Sequence, residues 1–150
     1  MITVDDFLRF SERTLEGFRS ALERLDESTV NALPALPDPN SPYQLVMHTV
    51  SAVDWWTSHI ILGNPTDRDR PAEFVATGSL AEAVALIAVC QSKLRELAPL
   101  LAAATDIAPG PRAEQQLGPE WTVGACLIHA YEEMAQHLGH LEITVDLLTA

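Results

Sequence analysis

The chain has 150 residues, 47% of them hydrophobic and 20% charged, which is typical of one globular domain that needs no disulfides. Nine basic against twenty-one acidic residues give a formal net charge of −12, so phosphate backbones and anionic membrane surfaces should repel the chain. We therefore expect one folded domain over residues 1–150, with neither a nucleic acid nor a membrane as its partner.

The first predicted helix begins at Thr3, a capping residue with Asp6 three positions later. Its apolar residues recur at helical spacing and predict a buried face made of Phe7, Phe10, Leu15, Phe18, Leu22 and Leu25. The connector over residues 26–40 contains three prolines, so no helix can run through it.

The second predicted helix begins at Ser41, which is followed by a proline, and it ends near Gly63. Residues 63–78 then form a loop of unusual length, and loops this long in compact domains are often functional or mobile. A capping-box pattern at Ser79 predicts a third helix that continues to about Ala104.

The third connector covers residues 105–120 and contains three further prolines, and a fourth helix is predicted from about Thr122 to Leu148. Four amphipathic helices without a credible strand predict an all-α fold, an antiparallel four-helix bundle with long connectors. The long first and third connectors leave room for a topology in which consecutive helices are not neighbours.

The two cysteines, Cys90 and Cys126, each lie in an apolar run, which indicates buried thiols in a reducing compartment. The N-terminus lacks the basic and apolar regions of a secretory signal peptide, so we expect a cytoplasmic location. Cys126 and His129 could form a thiolate–imidazole pair, but an apolar neighbourhood raises the pKa of a thiol and counts against it.

All five histidines fall on the second and fourth predicted helices: His48, His59, His129, His137 and His140. On a helical wheel, Glu133 and His137 lie one turn apart at the edge of the apolar stripe of the fourth helix. The other acids of that helix, Glu132, Glu142 and Asp146, fall on the opposite side. Glu133 is therefore the one acid of this helix predicted to face the core.

A carboxylate at the edge of a core is costly to bury unless a positive charge compensates it, and a metal ion would do so. Glu133 and His137 place two metal-ligating groups side by side, and His48 is the best third ligand because it flanks the apolar stripe of its helix. Such a set leaves coordination positions open for water or substrate, and zinc, nickel and ferrous iron all accept it. His129 and His140 lie on the same side, where we expect them to support the ligands by hydrogen bonds.

Simpler interpretations of these residues remain open on spacing alone. Glu133 and His137 could form an ordinary i,i+4 surface pair, and His48 could be a hydrogen-bonded histidine at the edge of the core. His59 is too far from His48 to share one ion, because 11 residues of helix separate them by roughly 16 Å. The chain lacks the paired Glu-x-x-His motifs of a ferritin-like di-iron centre.

Several short motifs in the second and fourth helices occur in a familiar order. They are Leu-Val-Met-His at 45–48, Val-Asp-Trp-Trp at 53–56, Leu-Gly at 62–63, Trp-Thr-Val-Gly at 121–124, Leu-Ile-His at 127–129, Glu-Glu at 132–133 and His-Leu-Gly-His-Leu-Glu at 137–142. This pattern resembles the DinB-like superfamily, which includes the YfiT-like metal-dependent hydrolases and the mycothiol-dependent maleylpyruvate isomerases. The resemblance extends over nearly the whole chain.

The resemblance implies a four-helix bundle that binds a divalent metal, usually zinc or nickel, through His48, Glu133 and His137. Many relatives have a histidine at the Glu133 position, whereas the mycothiol-dependent branch has glutamate, as here. The isomerases carry an additional C-terminal domain that these 150 residues do not contain. The resemblance therefore implies a related transferase that joins a low-molecular-weight thiol such as mycothiol to an electrophilic small molecule.

Two alternatives stand beside this prediction. One is a metal-dependent hydrolase that uses a metal-bound water in the same pocket. The other is a non-catalytic helical module that acts in stress or as an interaction partner. The apolar stripes on helices of this length also suit a homodimer.

Overall fold

A computed structural model of the chain describes residues 3–104 and 121–150, and within these two ranges it contains helices and no strand. The helices are α1 (Val4–Leu22), α2 (Pro42–Asp54), a π-helical segment (Trp55–Ile61), the one-turn α3 (Arg70–Glu73), α4 (Leu80–Ala103) and α5 (Val123–Thr149). The predicted all-α fold is confirmed. The predicted connector over 105–120 lies outside the described residues.

The four long helices form a bundle in which α1 and α2 each pack against both α4 and α5. These are the main packing pairs, so α1 and α2 occupy opposite corners of the bundle. Consecutive helices are therefore not always neighbours, as the long first connector had allowed. None of the described helices is both long enough and apolar enough to cross a membrane.

Local capping chemistry explains where the long helices begin. Three of them start with a capping box, in which two residues three apart accept each other's backbone N–H: Thr3 with Asp6, Ser41 with Gln44, and Ser79 with Glu82. Helix α5 starts after Thr122, whose hydroxyl oxygen accepts the N–H of Ala125. The predicted helix starts are thus confirmed.

The core is a single cluster of apolar side chains from the four long helices, among which Leu15, Phe18, Leu45, Ile60, Ile87, Met134 and Leu141 are completely buried. One predicted core residue is wrong. Phe10 is 48% exposed, and its ring lies edge-on against Tyr131 with the centroids 6.0 Å apart. The buried positions of that turn belong to Ser11 and Thr14, which leaves Phe10 at the border of the buried face of α1.

The second predicted helix is one continuous rod that changes its hydrogen-bond pattern partway along. After Asp54 the α-helix becomes π-helical over Trp55–Ile61, and the rod ends at Leu62. Gly63 follows with φ +73°, the left-handed conformation that glycine adopts most readily after a helix. The predicted end is confirmed, whereas the π-helical turns were not predicted.

The predicted loop over 63–78 is only partly irregular, because it contains α3. Asp69 caps this short helix by accepting the N–H of Ala72. Near its C-terminal end the segment is tied to the first connector, since the side chain of Asn31 pairs with both the N–H and the C=O of Gly78. These contacts hold α3 against the bundle beside α2.

Candidate metal centre

His48, Glu133 and His137 meet where α2 packs against α5. Each offers one ligand atom, and these three atoms lie within 4.8 Å of one another. No other trio of His, Cys, Asp or Glu side chains lies this close within residues 3–104 and 121–150. The His48 side chain is 6% exposed, whereas Glu133 is 27% and His137 is 21% exposed, so the cluster lies at the border of the core with access from solvent.

Two distances within the cluster, both to Glu133, match those between ligands of a shared ion. Nε2 of His137 lies 3.4 Å and Nε2 of His48 lies 3.6 Å from the same oxygen, Oε2 of Glu133. Both distances exceed the usual 2.7–3.2 Å of an N–H···O hydrogen bond. They are close to the ~3.4 Å that separates two ligands of a tetrahedral ion with metal–ligand bonds of about 2.0–2.1 Å. The residues present therefore fit a divalent metal.

The charge of the cluster also suits a metal. When their N–H groups face the Glu133 carboxyl, the imidazoles of His137 and, to a smaller extent, His48 hold its pKa well below the ordinary value, although partial burial opposes this. Glu133 is therefore ionised at neutral pH, which is the form that binds metals. The Nδ1 atom of His137 is buried and has no hydrogen-bond partner in the described part of the chain.

His48 has a further partner that was not predicted from the sequence. Its Nδ1 lies 2.7 Å from Oε2 of Glu73, the last residue of α3. Arg68 forms two hydrogen bonds to the same carboxylate, 2.7 Å to Oε1 and 3.1 Å to Oε2. Asp69 and Pro71 form a capping pattern that could have predicted α3, but no local signal indicates that Glu73 is buried.

The two supporting histidines differ in how they contact the cluster. Nδ1 of His129 lies 2.9 Å from Oε2 of Glu132, and its Nε2 lies 3.6 Å from Oε1 of Glu133. The ring of His140 lies 6.3 Å from that of His137, and burial and then His137 lower its pKa. The supporting role of both residues stays a prediction.

His59 lies apart from the cluster. Its Nδ1 is 2.7 Å from the carbonyl oxygen of Asn64, and its ring stacks on Trp55 with the centroids 4.3 Å apart. Neither cysteine is part of the cluster, and both are buried free thiols, as predicted.

Aromatic rings lie against His48 of the cluster and against the neighbouring His129. Phe74 lies 4.8 Å from the ring of His48, measured between centroids. Trp56 and Trp121 stack on each other at 5.5 Å, and both meet His129 edge-on. Such apolar walls lower the local dielectric constant and strengthen the electrostatic interactions between the ligands and a cation.

Comparisons with known proteins agree with this architecture. The family model of the DinB superfamily matches residues 11–141. A solved structure described as a conserved protein from Enterococcus faecalis has a similar fold, with a TM-score of 0.72 and 16% sequence identity over 99% of this chain and 98% of that one. None of the curated proteins matches the sequence. Because the family match extends over most of the residues, the chain belongs to the DinB superfamily.

Proposed function

We propose that this chain is a divalent-metal-dependent enzyme that transfers a low-molecular-weight thiol to an electrophilic small molecule. The observation that supports it is the cluster of His48, Glu133 and His137, whose ligand atoms surround an ionised carboxylate at the spacing of metal ligands. Thiol transfer is favoured because position 133 is glutamate, as in the mycothiol-dependent branch that the motifs resemble.

A zinc, nickel or ferrous ion at these residues would supply Lewis acidity, which lowers the pKa of a thiol or a water molecule. Glu133 contributes the negative charge that holds the cation. His129 lies next to its free oxygen, where Nε2 can hold the proton that the thiol gives up. Trp56 and Trp121 lie against His129 on this side, where they would limit the access of water to a bound thiol.

Hydrolysis of a small molecule by water is the second candidate. Two histidines and one glutamate form the ligand set of known zinc hydrolases, and the partial exposure of Glu133 and His137 leaves room for water and a substrate. The same cluster would serve both reactions, so only the nucleophile distinguishes them.

The first test is metal content. The chain is purified without a histidine tag, stripped with a chelator, reloaded with zinc, nickel or ferrous iron, and measured by mass spectrometry. We expect about one ion per chain, and loss of that ion in His48→Ala. The matched control is His59→Ala, which removes another histidine of the same rod and should keep full occupancy. If no ion binds, both enzymatic functions are wrong and a non-catalytic module is left. If His48→Ala keeps the ion, the assignment of His48 as the third ligand is wrong.

The second test separates the two reactions. The metal-loaded chain is mixed with an electrophile such as a chlorinated nitroarene, with and without a small thiol, and the products are identified by mass spectrometry. We expect the thioether to form faster than in the uncatalysed reaction of thiol and electrophile only when the metal-loaded chain is present. Turnover that does not depend on the thiol would contradict transfer and support hydrolysis.

A further inference from the structure

The segment that carries α3 brings a second carboxylate toward the metal ligands from outside the bundle. Glu73 is 5% exposed, and it reaches the buried imidazole of His48 at 2.7 Å. A buried carboxylate is costly unless it is paired, and Arg68, itself only 14% exposed, pairs with both of its oxygens. Arg68, Glu73 and His48 thus form one continuous chain of charged or polar contacts that ends at the metal cluster.

The direction of the hydrogen bonds in this chain follows from the chemistry of its members. The Glu73 carboxylate already accepts hydrogen bonds from Arg68 at both oxygens, and a carboxylate oxygen accepts hydrogen bonds, so Nδ1 of His48 is the donor in the 2.7 Å contact. A neutral imidazole with its proton on Nδ1 has its lone pair on Nε2. That lone pair faces Oε2 of Glu133 at 3.6 Å, so two acceptors face each other. Such an arrangement is repulsive by itself and becomes favourable when a cation lies between them.

We propose that Glu73 is a positioning residue, which fixes the proton of His48 on Nδ1 and so directs the Nε2 lone pair toward the metal. Arg68 holds the Glu73 carboxylate in the orientation that this task requires, through one hydrogen bond to each oxygen. The proposal rests on the proposed function for its purpose, but the position of the proton is a property of the metal-free chain. Contacts of this kind orient metal-binding histidines and raise their basicity as ligands.

The other histidine of the cluster provides a contrast. Nδ1 of His137 is buried and has no hydrogen-bond partner in the described part of the chain, so no neighbour there selects its tautomer. His48 is therefore the pre-organised ligand of the pair, and the Arg68–Glu73 contact is what makes it so.

A purely structural role for Glu73 is the competing explanation. In that case the carboxylate would only fasten α3 to α2, and its loss would lower stability without moving a proton on His48. The position of the proton separates the two explanations. It is read directly from long-range ¹H–¹⁵N correlations of the metal-free chain at pH 8.5, with the signals of His48 assigned from a His48→Ala variant.

In the unmodified chain we expect a proton on Nδ1 of His48 and none on Nε2. A proton on Nε2, alone or together with one on Nδ1, overturns the proposal, and this measurement needs no variant at the carboxylate. In Glu73→Gln, Arg68 retains the amide oxygen, so the amide N–H₂ faces Nδ1 and the proton should move to Nε2. Zinc affinity, measured by competition with a chelator, should then fall about 10- to 100-fold.

Two further variants complete the test. Arg68→Lys keeps a positive charge beside the carboxylate, so the proton should stay on Nδ1 and zinc affinity should fall less than in Glu73→Gln. Glu132→Gln is the control, because it removes the carboxylate that contacts Nδ1 of His129, which is not among the three ligands. Its zinc affinity should stay within twofold of the original chain. Equal losses in Glu73→Gln and Glu132→Gln would overturn the proposal.

The failure of the two proposals can be told apart. If the unmodified chain binds no zinc and the proton is on Nδ1, the metal-dependent function is wrong while the tautomer assignment holds. If zinc binds tightly and the proton is on Nε2, the metal site stands and the role of Glu73 is wrong.

Discussion

At the scale of single residues, Glu133 decides which fourth ligand the cluster favours. With Glu133 ionised and both imidazoles neutral, the three ligands carry one negative charge, so a divalent ion would leave a net charge of about +1. That charge attracts an anionic ligand such as a thiolate. A third histidine in place of Glu133 would leave a net charge of +2, and the ion would hold an anion more tightly and release it more slowly.

The thiol in the proposed reaction must come from outside, because the chain's own thiols are protonated. Burial raises the pKa of Cys90 to about 12 and that of Cys126 to about 11. Both should react with Ellman's reagent at pH 8 at least ~100-fold more slowly in the folded chain than in guanidinium chloride, where two equivalents react. A fast-reacting thiol in the folded chain, titrating below pH 8.5, would contradict this prediction.

At the scale of elements, capping and periodicity predicted the long helices. They did not predict the π-helical segment or the burial of Glu73. A local capping box marks the start of α2, but neither capping nor periodicity indicates the change to π-helix after Asp54, in a segment that packs against α5. The position of Glu73 depends on Arg68 and on contacts with the bundle. Neither His48 nor Glu73 carries a local signal for the other, because 25 residues separate them.

The connection that carries α3 is held close to the bundle at Gly78. A Cβ atom at this position would lie 2.3 Å from the ring of Tyr43, which is itself buried. We expect Gly78→Ala to lower the free energy of unfolding by about 1–3 kcal/mol, because the ring or the backbone must move. The measurement is urea unfolding of the metal-free chain.

Gly139 provides the control for that substitution. It lies inside α5, and a Cβ atom there would meet nothing within 4 Å. Gly139→Ala should therefore raise the free energy of unfolding by roughly 0.5–1 kcal/mol, since alanine is the better helix former. Equal effects of both alanines would mean that the contact with Tyr43 does not constrain the chain.

At the scale of the whole molecule, the metal cluster joins two helices that are distant in sequence. The helical wheel placed Glu133 and His137 on one face, and the apolar stripe of the second helix, followed by the family resemblance, indicated His48 as the third ligand. Which helices are neighbours could not be derived from periodicity, because every amphipathic helix can pack against any other. The packing of the bundle, in which α2 contacts α5 rather than α1, shows which helices are neighbours.

A metal bound by α2 and α5 together should stabilise the whole bundle, because the ligand set exists only in the folded chain. At a free zinc concentration 100 times the Kd, mass action predicts about 2.7 kcal/mol of added stability. For a chain of this length that raises Tm by roughly 5–10 °C. The measurement is calorimetry with and without zinc, and a chelator should reverse the shift.

His137→Ala should lose the shift and His59→Ala should keep it, because of these two histidines His137 alone belongs to the candidate metal cluster. An equal rise of Tm in His137→Ala would show that zinc acts elsewhere on this acidic chain.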